Sequence, residues 1–425
     1  MLGETKSFTD STLRDDLERS LFVKLDGDRV EHLELTIPEP SRLFASYLVG
    51  KDPREAPAII ERLCGKCPVS YQIPACEALE AAMGVIVSPD IRRLRRLMYC
   101  GEWIENHSLH VYLLAPDFVS KPALAIDHRE AVERCLRLKR VGEALVSAIG
   151  GSARHPLNVA VGGFHRAPRA FELAELRAEL EWAVEASVEI LRFVATFDFP
   201  AFDVEYVDYE MVCLHHARQY PMNEGHVISS RGLVVPVNQF ETRFGQRTDA
   251  SPELGHSREK SYLVGPLARV NMSLNQLSPR ARKEAENCGV RWPSGNIFHS
   301  VVARALELIH ACEEAIAIID QYHRDLPEPK HIVETIAGEG CYAAEVPSGL
   351  TYHRYRVDSE GLIADAKIIS PGVQNQKQAE QDLRAYLPKL VECDHAETTR
   401  RCEQLVRNYD PGLSGSTFIV NPKNT

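Results

Sequence analysis

Between Arg169 and Phe197 an apolar side chain returns every three or four residues: Leu173, Leu176, Leu180, Val184, Val188 and Leu191. That spacing lines one face of an α-helix and fits no strand, whose side chains alternate. Ile91 to Leu114 is helical in composition and stops at Ala115-Pro116-Asp117. His128 to Ile149 runs into Gly150-Gly151, a pair suited to a helix C-terminus. Val301 to Tyr322, Lys377 to Val391 and Ala396 to Asn408 complete the set. A chain with this many long helices must bury them against one another.

Strand signals are shorter. Leu21-Phe-Val-Lys-Leu25 and Val30 to Ile37 flank Asp26-Gly27-Asp28, a hairpin pattern. Val227 to Arg243 and Gly349 to Ile369 mix strand and turn residues. No internal repeat stands out, and no Pro/Ser-rich linker separates independent units. The expectation is one large α+β unit, mainly α, with a long-helix core and small peripheral sheets.

The bulk numbers exclude several function classes. A net charge of −11 argues against a nucleic-acid or anionic-membrane binder, whose surfaces need clustered Lys and Arg. No run of eighteen apolar residues reads as a membrane span. Met1 to Asp10 carries no apolar signal region, so a cytoplasmic setting is expected. The eleven cysteines are scattered, as for reduced and mostly buried thiols, except for Cys64-Gly65-Lys66-Cys67. That C-x-x-C fits half of a zinc site, a dithiol redox motif, two thiolates of a transition-metal or iron–sulfur site, or an inert pair. No second C-x-x-C or paired histidines complete it. Near the other end, Asp410-Pro411-Gly412-Leu413-Ser414-Gly415 has little helix or strand periodicity, and its glycines suit turns.

Longer stretches carry a resemblance. Glu39 to Pro57, running on to Glu61-Arg-Leu-Cys-Gly-Lys-Cys-Pro-Val-Ser-Tyr71, resembles the N-terminal R-x-C-G-x-C-x-x-x-H motif of nickel–iron hydrogenase large subunits. Asn106-His-Ser-Leu-His110 to Phe118, Gly150-Gly-Ser-Ala-Arg-His-Pro156 and Gly162-Gly163 are similar to further family segments, in order. So are Val264-Gly-Pro-Leu-Ala-Arg-Val-Asn271, Ala303-Arg-Ala-Leu-Glu307, Val357 to Ile363 and Gln374-Asn375. The likeness covers nearly the whole chain from about residue 20 and is nearest to the cytoplasmic multi-subunit type. It implies the hydrogenase large-subunit fold as one domain over 1–425. A β-rich segment would span 1–60, a helical core with β insertions 61–410, and a C-terminal segment 411–425.

The departures from the family pattern cluster at its metal site. The family closes that site with D-P-C-x-x-C-x-x-H, where this chain has Gly412, Gly415 and Phe418. Tyr71 stands at the histidine beside the bridging thiolate, and Ser348 at an arginine that overhangs the site. Ala45 and Phe418 fall at the Glu and His that hold the family's second buried ion. The terminal His that marks processing is absent, so an uncleaved tail is expected. Cys341, Cys393 and Cys402 are candidates for a replacement thiolate. The family's proton-gating Glu would align with Asp16 or Glu18.

Four thiolates hold the family's nickel. Cys64 and Cys67 supply two, and glycine donates no side-chain ligand. The resemblance therefore implies a hydrogenase-like subunit without the standard nickel–iron centre. It would be bound to an iron–sulfur small subunit and further redox subunits, with Cys64 and Cys67 as the metal ligands if any metal binds. The alternatives are a redox enzyme with a metal or substrate site rebuilt at Cys64, Cys67 and Tyr71, and a standalone dithiol oxidoreductase.

Overall fold

The computed structural model of the protein describes residues 19–26, 29–37, 40–62, 67–119, 127–202, 210–244, 261–322, 326, 328–331, 333–411 and 415–420. Strands β1 (Arg19–Asp26) and β2 (Arg29–Thr36) pair antiparallel, as the hairpin pattern predicts. Helix α1 (Pro40–Leu48) follows, then α2 (Pro68–Ala82), α3 (Pro89–Phe118), α4 (Arg129–Gly150) and α5 (Arg177–Val194). A small sheet holds β3 (Val212–His215), β4 (His226–Ser229) and β5 (Val234–Val235). Next come α6 (Pro266–Ser273), α7 (Pro279–Ala285) and α8 (Ser300–Ile319). Strands β6 (Gly338–Val346), β7 (Gly349–Val357) and β8 (Ile363–Ile369) form an antiparallel meander. The chain ends in α9 (Pro371–Tyr386), α10 (His395–Asn408) and β9 (Gly415–Val420).

Close helix packing explains the core. A Cβ on Gly142 of α4 would sit 2.4 Å from the Gly101 carbonyl oxygen of α3, so the two helices touch backbone to backbone there. Only glycine permits that approach. On the other side Gly340 of β6 lies against α2, where a Cβ would meet the Ala82 nitrogen at 2.2 Å. The largest apolar cluster spans α2 to α5 and α8, and includes Trp103, Leu180, Leu306 and Ile309. A second cluster lies between the β1–β2 sheet, α9 and α10, and includes Leu21, Leu35, Leu383 and Leu405.

Three sequence expectations change. The single helix expected over Arg169 to Phe197 divides into a short helix at Ala170–Ala174 and α5. The helix expected over Lys377 to Val391 starts earlier, at Pro371, where proline suits a helix N-terminus, and ends in a 3-10 turn at Leu387–Leu390. The tail is not featureless either. From Gly415 it forms β9, which runs parallel to β1 in register from Arg19↔Gly415 to Lys24↔Val420. Ile419 is buried, whereas Phe418 is 54% exposed opposite Phe22. Alternation within the strand puts these neighbours on opposite faces.

Candidate functional site

Cys67 is the N-cap residue of α2, with Pro68 in the first turn. Its sulfur is disulfide-bonded. The nine cysteines from Cys76 to Cys402 are free thiols, and Cys64 lies outside the described residues. The helix N-terminus that Cys67 opens leaves backbone N–H groups without intrahelical acceptors. Glu102 of α3 fills that need: its carboxylate accepts from the Val69 N–H at 2.8 Å and from the Ser70 hydroxyl. Burial pushes the Glu102 carboxyl up to about 8, against the pull of those hydrogen bonds. Ahead of the cysteines, the buried Glu61 carboxylate lies 3.5 Å from His155. Burial also raises Glu61, partly offset by His155 and Arg62. His155 lines a cavity of about 460 Å³ at the C-terminal end of α4. The Gly-Gly…His-Pro segment thus reaches the cysteine arm.

One turn into α2, Tyr71 keeps 9% of its surface exposed. Burial raises its hydroxyl above the ordinary value, and the charges of Glu102 and Asp410 add to the effect. Tyr71 thus lies within electrostatic reach of Glu102, behind the cysteine motif, and of Asp410, at the start of the tail. His353 of β7 completes its surroundings, with ring centroids 6.2 Å apart, and burial lowers that imidazole to about 3.

Asp410 anchors a buried ion network. Its φ of 53° is the one positive value at a non-glycine position among the described residues, in a region that costs most side chains energy and aspartate less. The Asp410 carboxylate accepts from Arg304 of α8 at 2.9 Å and lies 3.5 Å from His110 of α3. Arg304 reaches His107 Nδ1 at 3.2 Å, and His107 Nε2 stands 3.0 Å from Glu307. Glu307 takes a two-pronged contact from Arg269 of α6, at 2.6 and 2.8 Å, and the Tyr220 hydroxyl donates to it at 2.8 Å. Arg269 continues to Glu345 of β6 at 3.0 Å and to the carbonyls of Val346 and Pro347. Its guanidinium also lies 4.5 Å from the centre of the Trp103 ring. Burial works to raise the Glu307 pKa, but Arg269 and His107 outweigh it and hold that carboxyl well below its usual range. Burial lowers His107 to about 4, leaving it neutral near pH 7.

The segments that carry the family resemblance meet here. His107 and His110, Arg269, Arg304 and Glu307, and Asp410 come from four distant parts of the chain. Asn375 adds a fifth, bonding both the N–H and the carbonyl of Val264 just before α6. Sequence reasoning did not single out Glu102, Tyr220 or Glu345. A carboxylate set among apolar neighbours, as in Ala344-Glu345-Val346, is the signal that marks such a position.

The remaining expected site residues distribute differently. Asp16, Glu18, Cys64 and Gly412 lie outside the described residues. Gly415 opens β9 and offers no side-chain donor. Ala45 is buried on α1 while Phe418 is half-exposed, so these two side chains do not share one closed pocket. Ser348 sits, half-buried, in the turn between β6 and β7. Cys402 and Cys393 belong to the second apolar cluster and Cys341 flanks a third. Among the described residues no three His, Cys, Asp or Glu side chains group as a metal site, and no helix is long and apolar enough to cross a membrane.

Comparison with known proteins gives a consistent picture. The family model "Nickel-dependent hydrogenase" matches residues 42–141. Sulfhydrogenase 1 subunit alpha of Pyrococcus furiosus is 29% identical over 408 residues, covering 93% of this chain and 94% of that relative. The NAD-reducing hydrogenase HoxS subunit beta of Cupriavidus necator is 25% identical, covering 94% and 91%. Among solved structures, an NAD+-reducing NiFe-hydrogenase in the H2-reduced state superposes with a TM-score of 0.72 at 22% identity, over 91% of this chain and 93% of that one. The NiFeSe-hydrogenase of Dm. baculatum gives 0.68 at 19% identity, over 91% and 94%. The fold is that of the hydrogenase large subunit.

Proposed function

Because the chain is a divergent member of the nickel-dependent hydrogenase large-subunit family, we propose that it serves as a scaffold subunit of a cytoplasmic redox complex. Its partner is an iron–sulfur small subunit, and its own standard nickel–iron centre is lost. One observation carries this reading: Gly412 and Gly415 occupy the positions of the second cysteine pair. A tetrathiolate nickel shell needs four soft donors, and glycine supplies none. We read the donor set as unfit for a nickel–iron centre and derive no step through one. What the chain's own residues do is structural and electrostatic. Glu102 caps the helix behind the cysteine arm, Tyr71 packs buried against His353, and Arg304 ties the tail to the core through Asp410.

The relatives' names describe them as subunits, which supports an assembly for this chain too. The test is purification of the tagged chain from its native source, with subunit stoichiometry and hydrogen uptake measured on the same sample. The proposal expects an iron–sulfur protein at near-equal amount and no hydrogen-dependent reduction of a dye. Hydrogen uptake that scales with this chain would refute it. A second reading, a metal or substrate site rebuilt at Cys64 and Cys67, draws support from the place of Cys67 at a helix N-terminus, where a released thiolate is stabilised.

A further inference from the structure

Alongside α6, α7 and the loop after α7 lies an open cavity of about 570 Å³. One wall is Trp292, with Met272, Leu274 and Val290 adding apolar surface. Trp292 also packs against both of the largest apolar clusters, so its ring is braced by the core. The loop that presents it is fixed by Asn271, whose amide donates to the Ser294 carbonyl and accepts the Ser294 N–H, both at 2.8 Å. Arg282 stands at the same cavity. Its guanidinium donates to the Asn275 carbonyl at 3.4 Å, and it has no carboxylate partner among the described residues. Glu286, one turn further along the same face of α7, also lines the cavity and makes no ion pair among the described residues.

A braced indole wall beside an uncommitted guanidinium has a clear chemical complement. Flat rings stack on tryptophan, and guanidinium groups bind phosphate with two parallel hydrogen bonds. The volume lies within the range of about 300–1,000 Å³ typical of small-molecule sites. We propose that this cavity binds a planar heteroaromatic ring carrying a phosphate monoester. The ring lies against Trp292 and the phosphate meets Arg282. Two sources share this chemistry, a purine nucleoside monophosphate and flavin mononucleotide. The proposal does not depend on the fate of the nickel–iron centre.

The test is calorimetric titration of the purified complex with AMP and, separately, with flavin mononucleotide. At least one should bind at a single site per chain. Arg282→Glu should weaken that probe at least about tenfold, the scale of one lost charge-assisted pairing. The phosphate-free partner, adenosine or riboflavin, should bind the unaltered chain more weakly by a similar factor and be indifferent to the substitution. Arg282 is exposed, so an unchanged melting temperature separates lost binding from lost folding. Flavin binding would identify a redox cofactor site, and AMP binding an adenylate site. Failure of both probes at millimolar concentration, or binding unaffected by Arg282→Glu, overturns the proposal.

Discussion

Two regions of the same interior differ sharply. The buried network from Asp410 through Arg304, His107, Glu307 and Arg269 to Glu345 is densely partnered, and Arg269, His107 and Glu307 have no exposed surface. In the cysteine and tail arms, by contrast, Cys67 caps a helix and Gly415 carries no side-chain donor. Buried charges are tolerated only in pairs, so each member of the network is held in place by the cost of stranding its neighbour. Under the scaffold reading, the fold persists without metal chemistry as long as this ion network survives.

Breaking the network should have the largest effect. Glu307→Ala strands Arg269 in the core, and truncating one partner of a buried pair costs about 3–5 kcal/mol. Denaturant unfolding should show that loss, against about 2 kcal/mol or less for Cys67→Ser. Equal losses would erase the contrast. Next comes the tail. Removing residues 415–425 uncovers Ile419 and one edge of β1, at a cost of roughly 2–3 kcal/mol from apolar burial alone.

A smaller effect separates the network's carboxylate from the others. Glu307 stays charged beside Arg269, whereas burial, opposed by Arg95, pushes Glu77 up to about 8. A raised carboxyl contributes stability that is fully present below its unfolded value near 4.5 and drains away as pH rises toward 8. His107 and His310, lowered to about 4, act in the opposite sense, losing their contribution as pH falls from 6.5 toward 4. Between pH 6.5 and 8 the carboxyls dominate, so stability should decline with pH. Glu77→Gln should flatten that slope by roughly 1 kcal/mol per pH unit, read from melting curves across the window. An unchanged slope would mean that Glu77 ionises normally. Smallest of all, Tyr71→Phe should shift stability by under about 1 kcal/mol and leave electron transfer through the complex unaltered, since the hydroxyl stays protonated. A large change in turnover would instead give Tyr71 a chemical role.

Much of this was legible in the sequence, for identifiable reasons. The N-terminal hairpin and α4, α8 and α10 announce themselves through periodicity and end signals, and their ends agree within a few residues, whereas α3 runs through the expected stop at Ala115-Pro116-Asp117 to Phe118. Helix α2 was missed because Pro68 and Pro74 read as breakers, and because nearly every one of its residues is buried, which removes the amphipathic pattern. Strand β9 was missed because its partner is at the other end of the chain, and parallel pairing leaves no local turn signature. For the site, the motif residues named from the sequence converge as a group. Their ties through Glu345, Tyr220 and Glu102 depend on tertiary contacts that no spacing encodes.

The most direct test of the scaffold reading is elemental analysis of the complex from its native source, comparing the intact chain with Cys64→Ser/Cys67→Ser. Iron in a partner's clusters is common to both samples, so the difference reports on these two positions alone. The account predicts equal nickel, iron and zinc in the two. Near-stoichiometric metal that disappears with the cysteines would contradict it and establish a rebuilt centre.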